Sequence, residues 1–263
     1  MMKQADCLVI GAGVVGCSIA LQLQRAGKSV CLIDATAPGA GASAGNAGMV
    51  GANAVIPMVT PGFLSQLPAL ILARQRSVLL RPHAMVPAFA WLRQCQKMAN
   101  PQQLRRSRDA LSVLHQHTLQ EWRLLLGDDA WQQWFRVGST LSQHLPASEN
   151  SVMNGLSVAL RQQVQVETRL LSQEEVRQRL PGLAAQRSQI TAVENTAAVQ
   201  SSTGLLGDLL ARFTAAGGRY QQQRVLGFAL CEGRVQHLIG EQGELYARHY
   251  VLAAGSASLE LLP

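Results

Sequence analysis

Three glycines, Gly11, Gly13 and Gly16, stand in the spacing G-x-G-x-x-G, and an acid, Asp34, follows 18 residues after the third. Together these residue types can hold a dinucleotide. Gly11 permits a tight strand-to-helix turn, Gly13 lets a pyrophosphate approach the backbone, and Gly16 lets the helix pack against the strand. The N–H groups and positive dipole end of that helix then face the phosphates. A carboxylate at Asp34 accepts a hydrogen bond from a ribose 2′-OH and repels a 2′-phosphate, which disfavours NADP.

The elements that must position these groups are legible around them. "DCLVI" is a short apolar run suited to a buried parallel strand. "VVGCSIALQLQRAG" has apolar residues at helical spacing, with Ala20 keeping the close approach and Gly27 as the C-cap. "SVCLIDA" is a second buried strand, so the unit reads as βαβ.

NAD and FAD remain, and the following stretch separates them. "ATAPGAGASAGNAGMVGANAVIPMVTPG" is a long Gly/Ala/Ser loop where an NAD enzyme usually proceeds to another helix and strand. Small residues let backbone amides approach a flavin and its phosphates, and Ser43 and Asn46 are the polar side chains available there. By composition alone the same stretch reads equally well as a flexible linker.

With these residues in place, the chain resembles the D-amino-acid oxidase superfamily of FAD-dependent amine oxidoreductases, and within it the bacterial D-amino-acid dehydrogenases. The S-x-x-N-A-G flavin loop of that family is matched by Ser43 to Gly48. Its two prolines, the second followed by glycine, are matched by Pro57, Pro61 and Gly62, and its basic Q-R…L-x-x-R-P element by Gln75, Arg76, Leu80, Arg81 and Pro82. "FAWLRQ" matches the helix that follows, and "YVLAAGSAS" resembles a returning strand whose glycine turn lies against the cofactor. Ala257 there replaces the usual aromatic residue.

The resemblance implies cofactor contacts at Gly11, Gly13, Val14, Val15 and Gly16, and at Asp34 and Ala35. It adds Ser43, Asn46, Ala47, Gly48 and Met49 in the loop, Val225 beside the adenine, and Ala253, Ala254 and Gly255 in the returning turn. It assigns no catalytic side chain, and the sequence has no metal-like spacing. It implies oxidation of a D-amino acid to the imino and 2-oxo acid, with electrons passed to a quinone-type respiratory acceptor. Another amine substrate, such as glycine, sarcosine, proline or hydroxyproline, and a non-catalytic fragment are the alternatives. Family members continue past the position of Pro263, so the chain is expected to be a fragment, a natural truncation or one piece of an assembly.

The rest of the chain fits a helix-rich insertion followed by a return to α/β. "VPAFAWLRQCQKM" and "PQQLRRSRDALSVLHQHTLQEWRLLLG" carry apolar residues at helical spacing, with Asn100 capping Pro101. His115 and His117 are two apart on this helix and cannot converge on a metal. "FRVGSTLSQHL" alternates like a strand, and Ser172 and Glu175 form a capping box. After "SSTGLLGDLLARFTAAGG", a helix, the segments "RYQQQRVLGFAL", "RVQHLIG" and "ELYARHYVLAAG" are expected to form an antiparallel meander.

Composition bounds the reading. At 263 residues, 48% hydrophobic and 15% charged, the chain is globular. The longest apolar stretch is interrupted by Pro57, Pro61 and Pro68, so no spanning helix is expected. No signal peptide precedes the first strand, and the five cysteines show no paired spacing, so reduced buried thiols and a cytoplasmic location are expected. The net charge of +7 is concentrated between Arg74 and Arg123, where nine Lys/Arg oppose two acids. That points to a solvated helical face, to an acidic substrate, or to an anionic membrane surface, peripheral on the inner face of the cell membrane. No aromatic ladder accompanies the charge, so nucleic acid is not an expected partner. The expected fold is therefore α/β: an FAD-binding Rossmann-like domain of the glutathione-reductase kind, at 1–54 and 192–263, with a partial α+β substrate domain at 55–191.

Overall fold

The computed structural model describes residues 5–57, 59–60, 85–144, 158–183 and 189–262. The chain divides into two compact units, one of residues 1–50, 120–136 and 198–263, the other of 51–119 and 137–197. Residues 120–136, expected within the insertion, pack in the first unit. Of the motif residues, Pro61, Gly62, Gln75, Arg76, Leu80, Arg81 and Pro82 lie outside the described residues.

The first unit is built on a parallel sheet of β1 (Ala5–Ile10), β2 (Val30–Asp34), β7 (Arg219–Gln222) and β11 (Ala247–Leu252), in the order β11-β1-β2-β7. The apolar runs in β1 and β2 are buried because both faces of the sheet are covered. Helix α1 (Val14–Arg25) sets Gly16, Cys17, Ala20 and Leu21 against one face. Beside it packs α7 (Ser202–Ala215), whose Leu205, Leu206, Leu209 and Phe213 are buried. On the other face, Leu8, Ile10, Cys31 and Ile33 meet Val225 and Leu238 in one core.

Those last two residues belong to an antiparallel meander of β8 (Val225–Cys231), β9 (Arg234–Gly240) and β10 (Gly243–Leu245). The meander was expected to be longer. "RYQQ" and "ARHYVL" instead run parallel to β2 and β1 as outer strands of the main sheet. Outer strands carry polar residues, and so both segments read as solvent-facing meander strands.

Residues 120–136 hold α4 (Thr118–Leu126, in part) and α5 (Asp128–Trp134). Arg25 Nη1 donates to Leu125 O at 2.7 Å, and Trp131 stacks on Phe135 with centroids 4.3 Å apart. Trp134 Nε1 donates to Asp208 on α7 at 3.1 Å.

The second unit contains α2 (Met85–Met98) and α3 (Pro101–His115), the latter capped by Asn100, whose side chain accepts from Gln103 N–H at 2.9 Å. A further sheet has the order β3-β6-β4, formed by β3 (Met49–Val50), β6 (Gln189–Val199) and β4 (Phe135–His144), with β5 (Thr168–Leu170) also on β6. The capping box at Ser172 and Glu175 is present and starts α6 (Gln173–Arg179). Val176 from this helix joins Leu171, Ile190 and Ala192 in a small core.

Four of the five cysteines are buried as expected; Cys231 is exposed at the end of β8. No described helix is long and apolar enough to cross a membrane, and no described cluster of side chains could hold a metal ion.

Candidate nucleotide site

The glycine loop turns between β1 and α1. Gly11 has φ +106°, a conformation that suits glycine, and a Cβ there would lie 2.4 Å from Ala253 O. Gly16 is closer still: a Cβ would sit 1.8 Å from Gly11 O. The returning strand β11 delivers Ala253 and Ala254 to this contact, with Ala253 N–H donating to Ile10 O at 2.8 Å. Gly255 follows at φ +58°.

Gly13 is the N-cap of α1 and brings no side chain to it. Cys17 N–H is the first to bond back into the helix, at Gly13 O. The N–H groups before it belong to the unpaired first turn. Ser43 takes one of them, its Oγ accepting from Val14 N–H at 3.1 Å. No acid lies in that turn of α1 itself, so its N–H groups keep their positive field. A hydroxyl that accepts one N–H still has its own proton to donate to an oxyanion. Val15 is exposed on the same turn.

Asp34 closes β2 beside this loop. Its Oδ2 accepts from Ala12 N–H at 2.7 Å, and its Oδ1 accepts from Thr36 N–H and Oγ1 at 2.9 and 3.0 Å. The carboxylate thus ties the end of β2 to the glycine turn. The thiol of Cys17 lies beneath, pushed up to about 11 by burial and secondarily by the Asp34 charge. Ala35 is exposed next to Asp34, and Val225 is buried as the first residue of β8.

The Ser43–Gly48 loop is fixed at its far end. Asn46 Oδ1 accepts from Gly48 N–H at 2.8 Å, and Val199 N–H donates to Gly48 O at 2.7 Å. Ser202 Oγ donates to Asn46 O at 3.3 Å. Gly48 has φ +71°, and a Cβ would meet Val199 O at 2.6 Å. Ala47 lies within this turn and Met49 stands exposed after it.

Gly11 to Gly16, Asp34, Ser43, Ala253 and Ala254 are therefore linked by direct contacts. Asn46 to Met49 instead run out to β6 and α7. Sequence reasoning missed Thr36, Val199, Ser202 and Tyr220, whose Oη donates to Thr36 O at 2.8 Å. None of the four belongs to a motif. The cradle fits a dinucleotide: its unpaired N–H groups and positive helix end suit a diphosphate, glycine keeps the approach open, and the Asp34 carboxylate suits a ribose hydroxyl.

Comparison with known proteins agrees. The FAD dependent oxidoreductase family, DAO, matches residues 6–263. The chain is 27% identical over 258 residues to the D-amino-acid oxidase of Bradyrhizobium diazoefficiens, covering 96% of this chain and 60% of that one. It is 32% identical over 164 residues to D-amino acid dehydrogenase 2 of Pseudomonas aeruginosa, covering 59% and 38%. In structure it is similar to an L-amino acid deaminase from Proteus vulgaris, with a TM-score of 0.64 and 18% identity over 98% of this chain and 55% of that one. The chain thus spans about 60% of the length of the first of these relatives. With the glycine cradle, Asp34 and a match running from the first strand to the last described helix, the chain belongs to the FAD-dependent oxidoreductase family DAO.

Proposed function

We propose that this chain supplies the nucleotide-holding part of an FAD-dependent amino-acid oxidoreductase acting on a D-amino acid. In the overall reaction the amino acid gives up two electrons and two protons to become an imino acid. Water then adds and ammonia leaves, giving the 2-oxo acid. FAD, when bound, supplies the two-electron acceptor. The first turn of α1 and the Ser43 hydroxyl hold the diphosphate, Asp34 holds the ribose, and the backbone around Val225 faces the adenine. The observation that carries this reading is the joining of Gly11, Asp34 and Ser43 around the N-terminal end of α1, whose first turn holds no acid. The D-amino acid preference rests on the names of the curated relatives.

The test begins with the absorption spectrum of the purified protein and chromatography of the released cofactor. FAD is expected; NAD without a flavin spectrum refutes the reading. Dye reduction with D-alanine, L-alanine, glycine and proline then assigns the substrate. Turnover confined to glycine or proline refutes the D-amino acid preference while leaving the cofactor reading intact.

We further propose a cytoplasmic protein that rests on an anionic membrane surface, where a quinone acceptor resides. Arg93, Lys97, Arg105 and Arg106 support this, being exposed on α2 and α3. Each basic residue near such a surface contributes about 1 kcal/mol. Co-sedimentation with anionic vesicles, lost on adding salt, is expected. Equal binding to neutral vesicles refutes the electrostatic attachment.

A further inference from the structure

The ribose end of the cradle is braced from a strand that carries none of the motif. Tyr220 stands on β7 opposite Leu32 of β2, and its Oη reaches across to donate to Thr36 O at 2.8 Å. Thr36 is exposed and lies past the end of β2, where no ladder bond holds it. It nevertheless donates twice to Asp34 Oδ1, from N–H at 2.9 Å and from Oγ1 at 3.0 Å. Asp34 Oδ2 then accepts from Ala12 N–H at 2.7 Å. A continuous run of hydrogen bonds, Tyr220 to Thr36 to Asp34 to Ala12, connects β7 with the glycine turn. On the other side, Gln223 N–H donates to Asp34 O at 2.9 Å.

The acceptor capacity of Asp34 gives this run its meaning. A carboxylate offers about four lone-pair sites. Three are used within the protein, by Ala12 N–H and by the two donors of Thr36. Which site remains, and where it points, depends on where Thr36 stands. The half-buried phenol of Tyr220 is pushed above its usual range by burial and then by the Asp34 charge, so it stays a donor.

We propose that Tyr220 is a positioning residue for an adenosine diphosphate moiety: by holding Thr36 it fixes the orientation of Asp34 that leaves one lone pair for the ribose 2′-OH. The proposal rests on the nucleotide-binding reading above. Without the phenol oxygen, Thr36 swings, its hydroxyl moves with it, and Asp34 samples orientations that do not meet the ribose. Every group that touches the nucleotide is still present; what is lost is preorganisation.

The test uses the full chain, Tyr220→Phe, and two probes, ADP and 2′-deoxy-ADP, titrated calorimetrically. The unmodified protein is expected to prefer ADP by about tenfold, the order of one hydrogen bond to a charged acceptor. In Tyr220→Phe, ADP binding is expected to weaken by about fivefold, the order of one neutral hydrogen bond, while 2′-deoxy-ADP binding changes by less than about twofold. The preference for ADP therefore collapses. A merely structural role would weaken both probes equally, and that result, or an unchanged preference, overturns the proposal. Absence of any preference in the unmodified protein overturns it as well. If the unmodified protein binds ADP with the expected preference but does not bind FAD, the flavin reading fails while the ADP titrations still decide the role of Tyr220.

Discussion

Replacing Gly13 and Gly16 separately divides binding from folding, because the two glycines face different neighbours. Residue 13 has φ −78° and ψ −177°, which any residue adopts, so alanine there is unstrained. Its Cβ would lie 3.1 Å from Ser43 Oγ, the tip of one side chain, and nothing else stands within 4 Å. The folding cost of Gly13→Ala is then that of a poorer N-cap, about 0.5–1 kcal/mol. In Gly16→Ala the new methyl would sit 1.8 Å from Gly11 O and 2.9 Å from its carbonyl carbon. Backbone cannot rotate away, so α1 must lift from β1. Overpacking of this kind costs about 3 kcal/mol or more. At roughly 2–4 °C per kcal/mol for a chain of this size, melting should fall by about 1–4 °C in Gly13→Ala and about 6–12 °C or more in Gly16→Ala. Binding should follow the opposite order. A methyl at residue 13 stands in the diphosphate approach, and Gly13→Ala should lose at least about tenfold in FAD affinity, with Gly13→Val losing binding altogether. Circular dichroism melts of cofactor-free protein and flavin fluorescence titration supply both quantities. Native FAD affinity in Gly13→Ala would show that the diphosphate does not pass over this residue. Unchanged melting in Gly16→Ala would refute the close contact between α1 and the turn.

Asp34→Ala should weaken FAD by about 1.5–3 kcal/mol, typical of a hydrogen bond to a charged group, as read by the same titration. Glu175 is held down to about 2, first by the Ser172 backbone N–H and then by Arg169. Its contribution to holding α6 is therefore present above its ordinary value of 4.5 and lost as pH falls through about 2. An NMR titration should show that midpoint, and Arg169→Ala, which removes the charged donor at Glu175 Oε1, should move it upward; no movement would refute the Arg169 contact as a cause. Of the five thiols, Cys231 alone should react rapidly with a chromogenic disulfide in the native protein, the buried four following only in denaturant. Two or more fast thiols would contradict the burial of Cys7, Cys17, Cys31 or Cys95.

The β1–α1–β2 unit is legible in the sequence because its signals are local. An apolar run, three glycines and a helical period lie within about thirty residues, and each constrains only its neighbours. The same holds for the caps at Asn100 and Ser172, each a side chain meeting a backbone three residues on. Strand direction is another matter. Whether β7 and β11 run parallel to the main sheet depends on partners far away in sequence, and their own residues, mixed polar and apolar, suit either arrangement. The site divides along the same line. Gly11, Gly13, Gly16, Asp34 and Ser43 announce themselves by spacing or motif. Thr36 and Tyr220 do not, being 184 residues apart and joined by a carbonyl that any residue would supply. Val199 and Ser202 likewise hold the Ser43–Gly48 loop through backbone groups or through a single hydroxyl.

The position of β11 against β1 has a temporal consequence. Ala5 to Ile10 pair with Ala247 to Leu252, so one flank of the strand that launches the glycine turn is made from residues more than two hundred positions later. Closing so long a loop adds little to the equilibrium cost, which grows only logarithmically, but it delays the contact. At roughly 5–20 residues per second, a ribosome needs about 10–50 s to reach β11 after releasing β1. Throughout that interval Gly11 has no Ala253 carbonyl beside it, and one side of β1 is open to strands of other chains. The turn that is read first in the sequence is thus completed only once a strand made more than two hundred residues later has docked beside it.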